Sequence, residues 1–221
     1  MHFRLPKPLH GWREFAGEVG VIVLGVLIAL GAQQVVQKIQ EREDIAQLRG
    51  ALRAELADDR GRWENMRASD RCTLERLHAL DRWAATAPAG ARLERAYRLL
   101  LWNMHSSGWD IAKTSPATAH IPLQERLTYA DLYAAIDNWR DYLGEERVNA
   151  IELSGLVASA DQPENRRQIA LHVAKARLFL RRRAENYPYF FTRFDALNIR
   201  PDSSQLTIAR DPQALCAPLA S

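Results

Sequence analysis

The sequence predicts an all-α protein: an N-terminal transmembrane helix continues into a helical bundle, and an irregular Pro-rich C-terminal tail follows. Three observations predict it. A charge-free apolar run stands near the N-terminus, from Val19 to Ala32. Beyond it, apolar residues recur three, four and seven positions apart, the spacing of one helix face. No clear strand pairs or internal repeats interrupt that pattern.

The first element is the apolar run itself, VGVIVLGVLIALGA, which Gln33 and Gln34 connect to Val35 and Val36. As a helix, residues 19–36 would span about 27 Å, close to the roughly 30 Å hydrocarbon core of a bilayer. Trp12 and Arg13 precede it and suit the interface, where an amphipathic ring and a phosphate-seeking charge are both favoured. Glu18 sits close enough to the boundary to reach the headgroups. The basic start, the short apolar run and the small residues Ala29 and Gly31 also fit a cleaved signal peptide. No turn-forming residue precedes that site, however, and the helical pattern continues straight through it. The expectation is a retained anchor over residues 16–38, with the bilayer as its first partner. Arg4, Lys7 and Arg13 mark residues 1–15 as a short cytoplasmic tail, which leaves the large domain in the periplasm. Gly17, Gly25, Ala29 and Ala32 fall near one face of this helix. Gly25 and Ala29 form a small-xxx-small pair that would let two such helices approach as a homodimer.

Residues 39–186 read as the bundle. Ile45, Leu48, Leu52, Leu56, Trp63 and Met66 make one apolar stripe, and Leu74, Leu77, Leu80 and Trp83 continue it. Gly50 and Gly61 weaken this helix locally, and Ala87-Pro88-Ala89-Gly90 ends it. A second helix is expected over 91–105, burying Leu93, Tyr97, Leu100, Leu101 and Met104. Gly108, Pro116 and Pro122 break up the next stretch, leaving about one turn around Trp109. Residues 124–160 are helical again, with Leu127, Tyr129, Leu132, Ile136 and Trp139 as core positions. The last long helix runs over 162–186 with Pro163 in its first turn. Residues 187–221, with Pro188, Pro201, Pro212 and Pro218, form the irregular tail packed on the bundle.

Two stretches carry a resemblance. GEVGVIVLGVLIALGAQQ, Gly17 to Gln34, resembles the opening of uncharacterised bacterial membrane-protein families known only as domains of unknown function. Those families begin with a Gly-Glu pair and a run like IVLGILIAL. SGWDIAKTSPATAHIPLQERLTYADLYAAID, Ser107 to Asp137, is similar to their central segment. The resemblance implies a retained single-pass anchor and brings no activity or catalytic residue with it.

Composition narrows the function classes. The net charge is +3, with 30 Lys and Arg interspersed among 27 Asp and Glu, which argues against a nucleic-acid partner. There is no HExxH, no Gly-rich phosphate loop and no GxSxG elbow. Glu75 and His78 have di-iron spacing, but the second Glu-x-x-His pair that such a site needs is missing, so they read as a solvated face. No metal, cofactor or enzymatic activity is expected. Trp109, Asp110 and Lys113 are the candidate ligand-binding residues, since an aromatic and an acid in a broken stretch could line a cleft between helices. The competing reading has Trp109 plugging the bundle and Asp110 capping a helix. Arg181, Arg182 and Arg183 before Tyr187, Tyr189, Phe190 and Phe191 read as a charged helix end entering an aromatic tail. Cys72 and Cys216 are the only two cysteines, and in an oxidising compartment they are expected to pair. The leading expectation is a non-enzymatic interaction or accessory protein that meets another membrane or periplasmic protein. The alternative is a small-ligand-binding or enzymatic helical domain using Trp109 to Ser115.

Overall fold

A computed structural model describes residues 11–93 and 102–210, and among these every regular element is helical. The elements are α1 (Trp12–Thr86), α2 (Ser107–Ala112), α3 (Pro116–Ala119), α4 (Leu123–Ala158), α5 (Pro163–Ala196) and α6 (Thr207–Arg210), with a 3-10 turn at Ser203–Gln205. The chain divides into two compact units, residues 1–47 and 48–221.

In the first unit, α1 carries the apolar run. It is long and apolar enough to cross a membrane, and none of its most apolar window is buried. Gly17, Gly25, Ala29 and Ala32 all lie exposed along it. A Cβ on Gly17 or Gly25 would meet nothing within 4 Å.

In the second unit, α1 from Leu48 onward packs with α4 and α5. The helix stops at Thr86, and Gly90 takes a φ of +80° in the turn that follows, a conformation open mainly to glycine. The stripe of α1 is largely buried as its spacing predicts: Leu52, Leu56, Trp63, Met66, Leu77 and Leu80 are in the core. Leu74 is exposed instead, because the helix turns its Cys72 and Leu77 face inward. On α4, Tyr129, Leu132 and Ile136 are buried, whereas Leu127 faces out, on the far side of the helix from them.

Two apolar clusters form. One gathers Leu52, Leu56, Trp63, Tyr133 and Ile136 with Phe190 and Phe194 of α5. Trp63 stacks on Phe190 with centroids 4.1 Å apart. The other gathers Leu77 and Leu80 with Leu153, Val157, Ile169 and Val173.

Three expectations need correction. The helix foreseen over 91–105 does not reach its end: residues 102–106 are irregular, although Met104 is buried. Here the chain follows α1, with the His105 amide donating to Asp59 instead of to a helical carbonyl. Tyr97, Leu100 and Leu101 lie outside the described residues. Secondly, α3 gives Ser115 to His120 a helical turn where only loop was expected; Pro116 occupies its first position. Thirdly, α5 continues ten residues beyond Asn186, straight through Pro188. A proline inside a helix costs about 3 kcal/mol. Tyr187, Phe190 and Phe194 recur at i, i+3 and i+7 and all are buried, which offsets that cost. Pro188 itself points to solvent.

The end of α5 is a Schellman cap. Asn198 sits at φ +50°, the Ile199 amide donates to the Phe194 carbonyl, and the Asn198 amide donates to that of Asp195. The segment beyond, which holds the 3-10 turn and α6 where only an irregular tail was expected, lies against α1. Asn65 grips it from both sides: its Nδ2 donates to the Gln205 carbonyl at 2.6 Å, and its Oδ1 accepts from the Ile208 amide at 3.1 Å.

Candidate functional site

The residues singled out in the sequence do not converge on a cleft. Trp109 is only 8% exposed and stacks nearly parallel on Tyr133, with centroids 5.4 Å apart. Asp110 and Lys113 pair with each other at 2.7 Å on the surface, one helical turn apart. What holds this turn is Glu55 of α1, whose carboxylate accepts from the Gly108 amide at 2.9 Å and the Ser107 hydroxyl at 2.9 Å. An acid at a helix start satisfies free amides and meets the positive end of the dipole. Trp109 thus plugs the bundle, and the cap comes from Glu55 instead of Asp110.

Glu55 is followed on α1 by further acids that meet the same segment. Asp59, one turn on, is fully buried and accepts from the His105 amide at 3.0 Å. Burial pushes its carboxyl up to about 8, against the opposing pull of that amide and of Arg62. Asp58, Asp59 and His105 present ligand atoms within 4.8 Å of one another, a spacing that could hold a cation. Arg62 already occupies that role. Its Nη2 lies 2.7 Å from Asp58 and its Nη1 lies 3.3 Å from His105 Nε2. A guanidinium supplies the positive charge there, so the geometry does not call for a metal.

A second buried polar group separates the two apolar clusters. Arg183 of α5 is 2% exposed, and its Nη1 donates to both oxygens of Glu146 on α4, at 2.8 and 3.0 Å. Its Nη2 donates to Asp70 of α1 at 2.5 Å, and Asp70 also accepts from the Tyr187 hydroxyl at 2.6 Å. Burial raises both carboxyls above their ordinary range, while Arg183 pulls the other way. Three helices meet at one planar fork, which fixes their register. The arginine run of the sequence therefore splits: Arg183 is structural, and Arg181 and Arg182 face solvent. Sequence reasoning missed Asp59, Asp70 and Glu146, because an acid on a helix looks the same whether solvated or buried. The one available indication was that each sits a turn from core positions.

Glu75 and His78 are exposed, as a solvated face should be. Glu75 pairs with Arg71, and His78 Nδ1 is 3.1 Å from Arg177. Cys72 is buried at 4% exposure; Cys216 lies outside the described residues.

One exposed apolar surface is the outer face of the α4–α5 pair, a groove lined by Tyr142, Val148, Leu178 and Phe179; Ile111, Leu123 and Leu127 are exposed as well. The two helices run antiparallel, tied by the Tyr142 hydroxyl donating to the Phe179 carbonyl at 3.3 Å and by Asn149 Nδ2 donating to the His172 carbonyl at 3.1 Å. Val148, Leu171 and Leu178 are 55%, 58% and 44% exposed. Glu145 and Glu152 stand beside them on α4, and Lys175 and Arg182 on α5. Glu145, Lys175 and Arg182 form no ion pair among the described residues, and Glu152 is 3.5 Å from His172. Apolar side chains at helical spacing, left in solvent and rimmed by charge, are the pattern of a surface that meets another helix. Compared with known proteins, the chain matches no protein family, no curated sequence and no solved structure, so its functional reading rests on the chemistry of its own surfaces.

Proposed function

We propose that the protein is a membrane-anchored, non-enzymatic interaction protein that docks another protein through the outer face of α4 and α5. The observation that carries this reading is the exposed apolar row of Val148, Leu171 and Leu178 on a bundle whose interior is filled by aromatic and aliphatic side chains. The apolar run of α1 supports a single-pass anchor in a bacterial inner membrane. By the distribution of basic residues, the N-terminus lies in the cytoplasm and the domain in the periplasm. The resemblance to single-pass bacterial membrane families agrees with a retained anchor. An oxidising compartment would join Cys72 to Cys216 and tie the end of the chain to α1.

Photoreactive residues introduced at position 178, with the solvated position 71 of α1 as a control, test the docking surface in intact membranes. Position 178 should give a discrete protein adduct and position 71 none. Adducts to lipid alone, or equal labelling at both positions, would overturn the reading.

A further inference from the structure

We infer that the partner seated on the α4–α5 face is a second copy of this chain, related by a two-fold axis that runs along the two helices. The inference rests on the docking reading above and names its occupant. Its basis is how charge is distributed on the face. The apolar residues are flanked by acids on α4, Glu145 and Glu152, and by bases on α5, Lys175 and Arg182. Asp141, one turn before Glu145, is exposed and extends the acidic row. Along the groove α4 thus carries the acids and its antiparallel neighbour the bases; beyond it, Glu185 of α5 pairs with Arg181 at 3.9 Å.

Two copies placed face to face can be related by an axis along the helices or by one across them. An axis across the helices lays α4 on the second copy's α4, which sets acid over acid and base over base. An axis along the helices lays α4 on the second copy's α5 at the same level. In the register set by the Tyr142–Phe179 and Asn149–His172 pairs, Glu145 then stands opposite the second copy's Lys175 and Asp141 opposite its Arg182, twice over, as an isologous interface requires. Like charges opposed at an interface cost several kcal/mol, so the charge pattern selects the second arrangement. In that arrangement Val148 faces the second copy's Leu171 and Leu178, and the apolar residues form the dry centre of the contact. Gly155, at the end of the α4 row, is exposed with nothing within 4 Å of a built Cβ, which allows close approach there. A foreign partner would have to carry both rows in reverse order; a second copy carries them already.

The test uses the full chain purified in detergent micelles, with its mass read by light scattering over a range of concentrations. The wild-type chain should be a dimer. D141K/E145K and K175E/R182E should each dimerise at least about tenfold more weakly. Mixed together they should form a 1:1 heterodimer, because positions 141, 145, 175 and 182 are then all basic in one chain and all acidic in the other. The four substitutions in one chain should restore the homodimer. A monomeric wild type, or a dimer indifferent to both pairs of substitutions, would overturn the inference, as would a loss that neither mixing nor combination recovers. A photoreactive residue at position 148 in the otherwise wild-type chain, irradiated in intact membranes, gives an independent readout. The inference expects a chain-to-chain adduct that maps to α5. An adduct to a different protein from a monomeric chain would overturn the second copy while leaving the docking reading intact, and no protein adduct would overturn both.

Discussion

Arg183 shows what a single buried residue does in this bundle. From α5 its guanidinium serves two carboxylates at once, Asp70 of α1 and Glu146 of α4. Replacing it by Met would leave the buried Glu146 and the half-buried Asp70 without their counter-charge. Breaking a buried pair in this way costs about 3–5 kcal/mol, so Arg183→Met should lower the denaturation midpoint sharply, and Arg183→Lys should not rescue the two-sided fork. Denaturant titration with circular dichroism reads both variants. Asp59 carries a pH dependence of opposite character. Its carboxyl is raised by burial from an ordinary 3.8 to about 8. The folded state therefore favours the protonated form. Whatever stability this contributes is complete below about pH 4, declines as pH rises, and is gone above about 8. Asp59→Asn keeps an acceptor for the His105 amide and cannot ionise. Its melting temperature relative to wild type should rise between pH 5 and pH 8.5; a constant difference would mean that Asp59 is ionised throughout.

At the scale of elements, two glycines that look alike in sequence have opposite roles. Gly50 and Gly61 both interrupt the helical propensity of α1. A Cβ on Gly50 would meet nothing within 4 Å, whereas one on Gly61 would sit 2.9 Å from Gln205 Cβ and 3.4 Å from its carbonyl oxygen. Gly50→Ala should therefore stabilise the helix by up to about 1 kcal/mol. Gly61→Ala should not, and should loosen the segment after α5, seen as faster hydrogen exchange of the Ile208 amide. The same segment bears on the cysteines. A bond from Cys72 to Cys216 would close a loop of well over a hundred residues, worth roughly 4–5 kcal/mol in the chain-entropy account. Unreduced, denatured protein should then expose no thiol to alkylation until a reductant is added. Two thiols labelled at once would remove the bond and weaken the periplasmic assignment with it.

For the whole molecule, the decisive matter is whether the apolar run stays in the mature protein. Peptides from upstream of Ala32 should appear in the membrane fraction, and alkaline carbonate should leave the chain in the pellet. A soluble protein beginning at Ala32 would show cleavage. The sequence by itself determined the fold class, the long first helix and the start of the last one. It also determined most of the core stripe, because periodicity and proline placement act locally, and a buried face must repeat every three or four residues. Only the tertiary structure decided that α5 runs through Pro188, because aromatic burial against α1 and α4 outweighs a local penalty. Only it separated Arg183 from its two exposed neighbours and placed Asp59, Asp70 and Glu146 inside, since burial of a charge depends on partners far away in the chain. Trp109 reads in sequence as a cleft or a plug, and its stacking on Tyr133 made it a plug. The candidate site was illegible for the same reason. Val148, Leu171 and Leu178 have the spacing of core residues, and only the packing of α4 on α5 left them in solvent.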